Sequence, residues 1–140
     1  MAGEKILLVE DNVVNRRLAE FLLRSSGYRV IQATTAQEAF ESIKIDRPDL
    51  IVMDIQLPGM DGLEATRKLK EQPETRDIPV VAVTSYAMKG DQDMALAAGC
   101  AGYITKPIDK TVFLGEVERL LSRVSQDREL LEHREIMRRS

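Results

Sequence analysis

The sequence predicts an α/β fold in which five parallel strands form one doubly wound sheet with helices on both faces. Two features of the 140-residue chain lead to this prediction. Short continuous apolar runs, typical of strands that are buried on both faces, alternate with segments of helical periodicity. Because crossovers between parallel strands are right-handed, few topologies remain, and at this size the common strand order is 2-1-3-4-5.

The first half of the chain contains three predicted strands and two predicted helices. The strands are the apolar runs at residues 6–9, 28–33 and 50–53, the last of which leads into Asp54. The first helix, residues 12–26, carries an apolar stripe and ends at a glycine. Its stripe consists of Val14, Leu18, Phe21 and Leu22, and the glycine is Gly27. Thr35 is the predicted N-cap of the second helix, and Glu38 completes a capping box.

The second half repeats the alternation of strands and helices. A turn-rich loop at residues 57–62 precedes a helix through Leu63, Thr66 and Leu69. Residues 79–83 form the fourth predicted strand, which ends at Thr84. A helix over residues 93–98 stops at Gly99, and residues 101–104 form the fifth strand. The last helix begins near Asp109 and carries the apolar residues Val112, Phe113, Val117, Leu120, Leu121 and Val124.

The chain divides into one predicted domain, residues 1–124, and a charged tail, residues 125–140. The tail contains four acidic residues and four arginines, so we expect it to extend the last helix into solvent. Alternatively, this helix pairs with a second copy to form a dimer or leads into an output module. Two heptads are too few to establish a coiled coil.

Composition is that of an ordinary soluble globular protein. The net charge is −3, and no basic cluster is interleaved with aromatic residues, which argues against nucleic-acid and membrane partners. The single cysteine, Cys100, lies among small residues and is interpreted as a packed side chain. No apolar run reaches the length of about 20 residues that a membrane span needs. We expect a cytoplasmic protein.

Polar residues follow four of the predicted strands, at the sheet edge where doubly wound folds place their sites. They are Glu10 and Asp11, then Asp54, then Thr84, and finally Lys106. Three carboxylates at one edge repel one another and favour a bound cation. Oxygen ligands indicate Mg²⁺ rather than Zn²⁺, which prefers His or Cys. We expect the Lys106 charge to face an aqueous cleft.

Four segments together resemble the receiver domains of two-component response regulators. They are Leu-Val-Glu-Asp-Asn at residues 8–12, Met-Asp-Ile-Gln-Leu-Pro-Gly-Met-Asp-Gly at residues 53–62, Val-Thr-Ser at residues 83–85, and Tyr-Ile-Thr-Lys-Pro at residues 103–107. Within that family the segments resemble DivK-like single-domain receivers and the receivers of hybrid histidine kinases. The resemblance implies a flavodoxin-like, CheY-like fold and a protein that takes a phosphoryl group from a histidine kinase or a histidine phosphotransfer protein.

The resemblance also implies a role for each site residue. Asp54 would be the phosphoacceptor, with Thr84 and Lys106 binding the phosphoryl group. The Mg²⁺ ligands would be Glu10, Asp11, Asp54 and the backbone carbonyl of Gln56. Tyr103 would turn inward when Thr84 moves. The peptide bond between Lys106 and Pro107 would be cis. Gln56 and Tyr86 would set the lifetime of the phosphorylated state. A downstream effector would bind the fourth helix, fifth strand and last helix.

Three other classes of protein are less compatible with these residues. A phosphatase of the haloacid dehalogenase type needs a second aspartate two positions after its nucleophile, where this chain has Gln56. A P-loop ATPase needs a Gly-Lys-Ser/Thr motif, which is absent from the sequence. A pseudo-receiver, which is never phosphorylated, would not need the full set of site residues. His133 lies in the charged tail and is not expected to carry a phosphoryl group, so the donor histidine must come from a partner.

Overall fold

The computed structural model describes residues 3–85 and 90–139 and contains, within those residues, one parallel sheet flanked by helices. In chain order the elements are β1 (Lys5–Val9), α1 (Val13–Ser25), β2 (Arg29–Ala33), α2 (Ala36–Ile45), β3 (Leu50–Asp54), α3 (Gly62–Glu71), β4 (Val80–Thr84), α4 (Asp91–Ala97), β5 (Gly102–Thr105) and α5 (Lys110–Arg139). The strand order is β2-β1-β3-β4-β5, and every pairing is parallel. The predicted fold class and strand order are confirmed.

Two apolar layers hold the helices against the sheet. The layer beneath α1 and α5 contains Leu23 and Phe113, both fully buried. The layer beneath α2, α3 and α4 contains Leu69, Ala95 and the buried Cys100, whose thiol lies 3.9 Å from the Thr66 hydroxyl. Since β3 and β4 are buried along their whole length, they read as continuous apolar runs in the sequence.

Helix α1 forms where the sequence predicts it, but of the predicted stripe only Leu22 is buried, and Val14, Leu18 and Phe21 face solvent. Val14 and Phe21 are 74% and 67% exposed, and the residues that pack on the sheet are Ala19, Leu22 and Leu23. The periodicity of both stripes is helical, so the pattern identified the helix without identifying its buried face. The exposed stripe leaves an apolar surface on α1 beside the carboxyl edge of the sheet.

The N-terminus of α2 differs in one bond from the predicted capping box. The Thr35 side chain accepts a hydrogen bond of 3.1 Å from the Glu38 N–H, as predicted. Glu38, however, accepts its bonds from the backbone N–H and the hydroxyl of Thr34, not from the N–H of the cap residue. The predicted start of the helix is therefore correct, but the backbone N–H that Glu38 bonds belongs to Thr34, one residue before the N-cap Thr35.

Gly62 brings the N-terminus of α3 against the end of β3. Its N–H donates to the Ile55 carbonyl at 2.8 Å. A Cβ at this position would lie 2.2 Å from the Asp54 carbonyl oxygen, which is far inside van der Waals contact. Only glycine therefore allows α3 to begin this close to the strand that carries Asp54.

Helix α5 continues through the predicted tail to Arg139. Phe113, Val117, Leu120 and Leu121 are buried, whereas Val112, which the sequence placed in the same stripe, is 58% exposed. The Val124 side chain lies outside the described residues. Leu130, Leu131, Ile136 and Met137 are exposed. Within the described part of the chain, no helix combines the length and the hydropathy needed to cross a bilayer.

Candidate functional site

Five of the predicted site residues line one open cleft at the carboxyl edge of the sheet. The cleft has a volume of about 590 Å³ and lies where β1, β3 and β5 end. Its lining residues are Glu10, Asp11, Asn12, Val13, Val14, Asn15, Asp54, Gln56, Ser85 and Lys106. The register of the parallel strands brings these residues together from positions up to 96 apart in the sequence (106 − 10 = 96).

Three carboxylates form the centre of the cleft. Oxygens of Glu10, Asp11 and Asp54 lie within 4.8 Å of one another. Glu10 and Asp54 are buried and Asp11 is exposed. At 4.8 Å and an effective dielectric constant of about 20, two ionised carboxylates such as Glu10 and Asp54 repel by about 3 kcal/mol. The cluster therefore requires positive charge close by.

Lys106 supplies one such charge by bridging the two buried acids. Its Nζ lies 2.7 Å from Glu10 Oε1 and 3.2 Å from Asp54 Oδ2. The Lys106 side chain is only 10% exposed. Lys106 lines the cleft, but its ammonium is held between the two carboxylates and little of its side chain is open to water. Three carboxylates against one ammonium still leave an excess of negative charge.

The environment of this cluster favours bound protons. Burial, followed by the proximity of Asp54, raises the pKa of Glu10 above its ordinary 4.5, although the Lys106 and Asn12 hydrogen bonds oppose the shift. Burial alone would lower the pKa of Lys106. The hydrogen bond to Glu10 and the negative charges of Asp54 and Glu10 outweigh burial and raise that pKa above its ordinary 10.5.

Backbone amides fix the two buried carboxylates in place. The Asn12 N–H donates to Glu10 Oε2 at 3.2 Å, and the Gln56 N–H donates to Asp54 Oδ1 at 3.0 Å. The Asn12 side chain in turn caps α1 by accepting from the Asn15 N–H. These bonds hold the carboxylates in defined orientations at the floor of the cleft.

The donor set of the cleft is compatible with a hard divalent cation. Oxygen ligands converge from three side chains, one of which is exposed, so a cation could keep several waters. The excess negative charge would be offset by such an ion. No histidine or thiol lines the described part of the cleft, which makes the site more suitable for Mg²⁺ than for Zn²⁺.

The remaining predicted residues lie around this cluster. Thr84 ends β4, is buried, and pairs in register with Thr105, and its carbonyl accepts from the Lys106 N–H at 2.7 Å. Tyr103 is partly buried on β5 against the apolar layer beneath α4. The Lys106–Pro107 peptide bond is cis. Tyr86 lies outside the described residues, and His133 is exposed near the end of α5.

Sequence reasoning missed two features beside the cleft. One is the exposed apolar stripe on α1, which the periodicity alone could not distinguish from a core stripe. The other is Arg16, whose guanidinium contacts the backbone at the end of β1. An arginine on the first turn of a helix is usually a solvated surface charge, so no sequence signal identified it.

Comparison with known proteins shows which family has this arrangement. Residues 6–118 match the response regulator receiver domain family. The chain is 44% identical over 118 residues to the polar-differentiation response regulator DivK of Brucella anthropi, and the alignment covers 84% of this chain and 96% of that protein. The DivK of Brucella ovis is 43% identical over the same coverage.

Solved receiver structures superpose on the chain. The receiver domain of a sensor histidine kinase from Pseudomonas aeruginosa, with magnesium coordinated in its active-site cleft, gives a TM-score of 0.74 at 42% identity, covering 87% of this chain and 97% of that one. The receiver of a histidine kinase from Syntrophus aciditrophicus gives 0.80 at 36% identity, covering 86% and 92%.

Receiver domains are phosphoacceptor switches that interact with histidine kinases or phosphotransfer proteins and with downstream effectors. The family match covers most of this chain, and both the strand order and the acidic cleft agree with it. This chain belongs to the response regulator receiver domain family and acts in two-component signalling.

Proposed function

We propose that this protein accepts a phosphoryl group on Asp54 and thereby changes its surface for a protein partner. The observation that carries the proposal is the position of Asp54, a buried carboxylate at the floor of the cleft. It lies beside two further carboxylates and within hydrogen-bond distance of Lys106. A carboxylate is a weak nucleophile, so the surroundings must neutralise the charge of the transferred group.

Each side chain has a distinct part in the transfer. An Asp54 oxygen forms a bond to phosphorus while the bond from phosphorus to the donor's histidine nitrogen breaks, and that nitrogen retains the electron pair. Lys106 is close enough to turn from Glu10 towards the phosphoryl oxygens. Glu10, Asp11, Asp54 and the Gln56 carbonyl would hold Mg²⁺, which supplies charge neutralisation at the transferred group. The protein catalyses only its own phosphorylation and dephosphorylation.

Thr84 and Tyr103 would transmit the phosphorylation of Asp54 to the surface of the protein. Thr84 ends the strand next to the one that carries Asp54, so its hydroxyl can bond the new phosphoryl oxygens. Tyr103 is partly buried on the neighbouring strand β5 and can turn inward when the threonine moves. The surface formed by α4, β5 and α5 would change as a result and would recruit the downstream effector.

The phosphodonor is best accommodated along the exposed stripe of α1. Val14 lines the cleft, and Leu18 and Phe21 continue the same helix face away from it. A helix that carries a phosphorylated histidine could cover this apolar stripe while its imidazole reaches Asp54. Phe21→Asp should slow transfer from a phosphohistidine protein. It should leave labelling by a small phosphodonor unchanged, because the small donor needs no docking surface.

The phosphorylated state should persist for many minutes. Gln56 and Tyr86 are the residues two positions beyond Asp54 and Thr84, and neither can act as a general base for water. Phosphate loss from Tyr86→Ala and wild type should be followed in parallel. A wild-type lifetime of seconds that the substitution leaves unchanged would count against this assignment of Tyr86.

Labelling with acetyl phosphate tests the phosphoacceptor role. With Mg²⁺, the intact protein should gain one acid-labile phosphoryl group by mass spectrometry, and Asp54→Asn should gain none. Asp61→Asn is a matched control, because Asp61 is an exposed N-cap whose role asparagine can fill, so it should label like wild type. Asp11→Ala should require more Mg²⁺ for half-maximal labelling.

Each other outcome of this experiment favours a different class of protein. Equal labelling of wild type and Asp54→Asn would overturn the assignment. Turnover of external phosphoesters would indicate a phosphatase, and no uptake at all would indicate a pseudo-receiver. The proposal includes a cytoplasmic location for this switch, the compartment in which a kinase or phosphotransfer protein would supply its phosphoryl group.

A further inference from the structure

Arg16 connects the acidic cluster to the edge of the sheet. Its side chain folds back from the first turns of α1 over the end of β1. Nη1 donates to the Glu10 carbonyl at 3.1 Å and lies 3.4 Å from the Asp11 carbonyl. Nε donates at 3.1 Å to the Gln32 side chain on the edge strand β2. One guanidinium therefore contacts both acidic residues through their backbone.

The two carbonyls lie where regular strand pairing stops. The Glu10 N–H still bonds the Ala33 carbonyl at 3.0 Å, but β1 itself ends at Val9. Beyond this point the backbone must place a buried carboxylate and an exposed one on the same side of the cleft. Nη1 contacts both carbonyls while Nε of the same planar group is held by Gln32, and a lysine ammonium cannot reproduce this fixed arrangement of donors.

We propose that Arg16 is a positioning residue, which fixes the backbone at Glu10 and Asp11 so that their carboxylates converge with Asp54 on one divalent cation. The proposal rests on the proposed function, because that cation is the Mg²⁺ required for phosphorylation. Gln32 supports Arg16 from the edge strand. It also donates from its Nε2 to Glu20, which pairs with Arg24, so a polar network ties the loop to α1 and β2.

The strength of Mg²⁺ binding distinguishes an Arg16 that acts only through its charge from an Arg16 that positions the backbone. A guanidinium near the cleft repels a cation, so removing its charge would strengthen Mg²⁺ binding if charge alone mattered. Positioning predicts weaker binding when the fork is lost, even when the charge is kept. Arg16→Lys separates the two effects because it retains the charge and loses the fork.

The experiment measures the dissociation constant of Mg²⁺ for the full chain by isothermal titration calorimetry. Arg16→Lys should weaken binding by about tenfold, the scale on which outer partners of metal ligands act. Gln32→Leu, which lies outside the cleft, should weaken it by a smaller factor. Arg17→Lys is the matched control, since Arg17 is an exposed neighbour with the same charge, and it should bind like wild type.

Labelling at saturating Mg²⁺ keeps this proposal distinct from the phosphoacceptor role. Arg16→Lys should then label on Asp54 to the wild-type extent, with a raised Mg²⁺ concentration for half-maximal labelling. If wild type binds Mg²⁺ and becomes phosphorylated while Arg16→Lys binds within twofold of wild type, the positioning role is overturned and the phosphoacceptor role stands. If wild type itself takes up no phosphoryl group, the proposed function fails instead.

Discussion

Replacing Gly62 by alanine tests how closely α3 must approach the strand that carries Asp54. The added Cβ would lie 2.2 Å from the Asp54 carbonyl oxygen and 2.9 Å from the Asp54 carbonyl carbon and the Ile55 Cα. Ordinary contact begins at 3.4 Å, so the two segments must separate by 1.2 Å (3.4 − 2.2) at the closest pair. All three obstructing atoms belong to the backbone, so no side chain can rotate away.

The cost of Gly62→Ala can be estimated from three effects. Overpacking costs up to about 3 kcal/mol when backbone must shift. Stretching the bond between the Gly62 N–H and the Ile55 carbonyl costs about 1 kcal/mol more. The helix preference of alanine returns about 1 kcal/mol. We therefore expect the free energy of unfolding to fall by about 3 kcal/mol, a large part of the stability of a small domain.

Urea denaturation measures this effect, and Gly115→Ala provides the matched control. Gly115 lies in α5, and a Cβ there would meet no atom within 4 Å. The control should stabilise the protein by about 0.5–1 kcal/mol, because alanine favours the helix and nothing opposes it. A Gly62→Ala variant within 1 kcal/mol of wild type would refute the reasoning, since it would mean that the close approach is not required.

Three further substitutions test the cleft and the core. Because burial raises the pKa of Glu10, the folded state keeps that proton to higher pH than the unfolded chain, and the associated stability is lost as pH rises above about 4.5. Glu10→Gln cannot ionise, so its stability relative to wild type should increase from pH 4 to pH 7, and a constant difference would contradict the shift. Lys106→Met leaves Glu10 and Asp54 without their shared cation and should cost about 3 kcal/mol at pH 7. The cost should fall as pH is lowered, because protonation of Glu10 removes one of the two charges that Lys106 neutralises, and a cost independent of pH would argue against this explanation. Phe113→Ala removes a fully buried ring beneath α5 and should cost about 3–5 kcal/mol, whereas a loss below 1 kcal/mol would mean that the ring does not pack as described.

The sequence predicted most of the fold because local pattern and topology agree. Continuous apolar runs mark strands that are buried on both faces, and the rules for parallel crossovers then restrict the strand order. The acidic cluster could be predicted for the same reason. Once the strands are parallel and adjacent, the residues at their carboxyl ends, such as Glu10 and Asp54, must meet at one edge.

Features that depend on side-chain packing could not be read from the pattern. On α1, Val14 and Leu23 belong to different apolar stripes, and only contact with the sheet decides that Leu23 is buried. The strand order places Lys106 at the edge that carries Glu10 and Asp54, but the ion pairs that it makes with both acids depend on side-chain conformations, which the pattern does not specify. Arg16 reaches the backbone of a strand it follows by only a few residues, and nothing in its local sequence distinguishes it from a surface charge.

Identification of the modified residue is the most direct test of the central claim, that Asp54 and neither of its two acidic neighbours accepts the phosphoryl group. After labelling with acetyl phosphate and Mg²⁺, borohydride reduces an acyl phosphate of aspartate to homoserine, which tandem mass spectrometry can locate. We predict homoserine at position 54, with Glu10 and Asp11 unchanged. Reduction at position 11, or at position 10 to the corresponding alcohol of glutamate, would contradict the account.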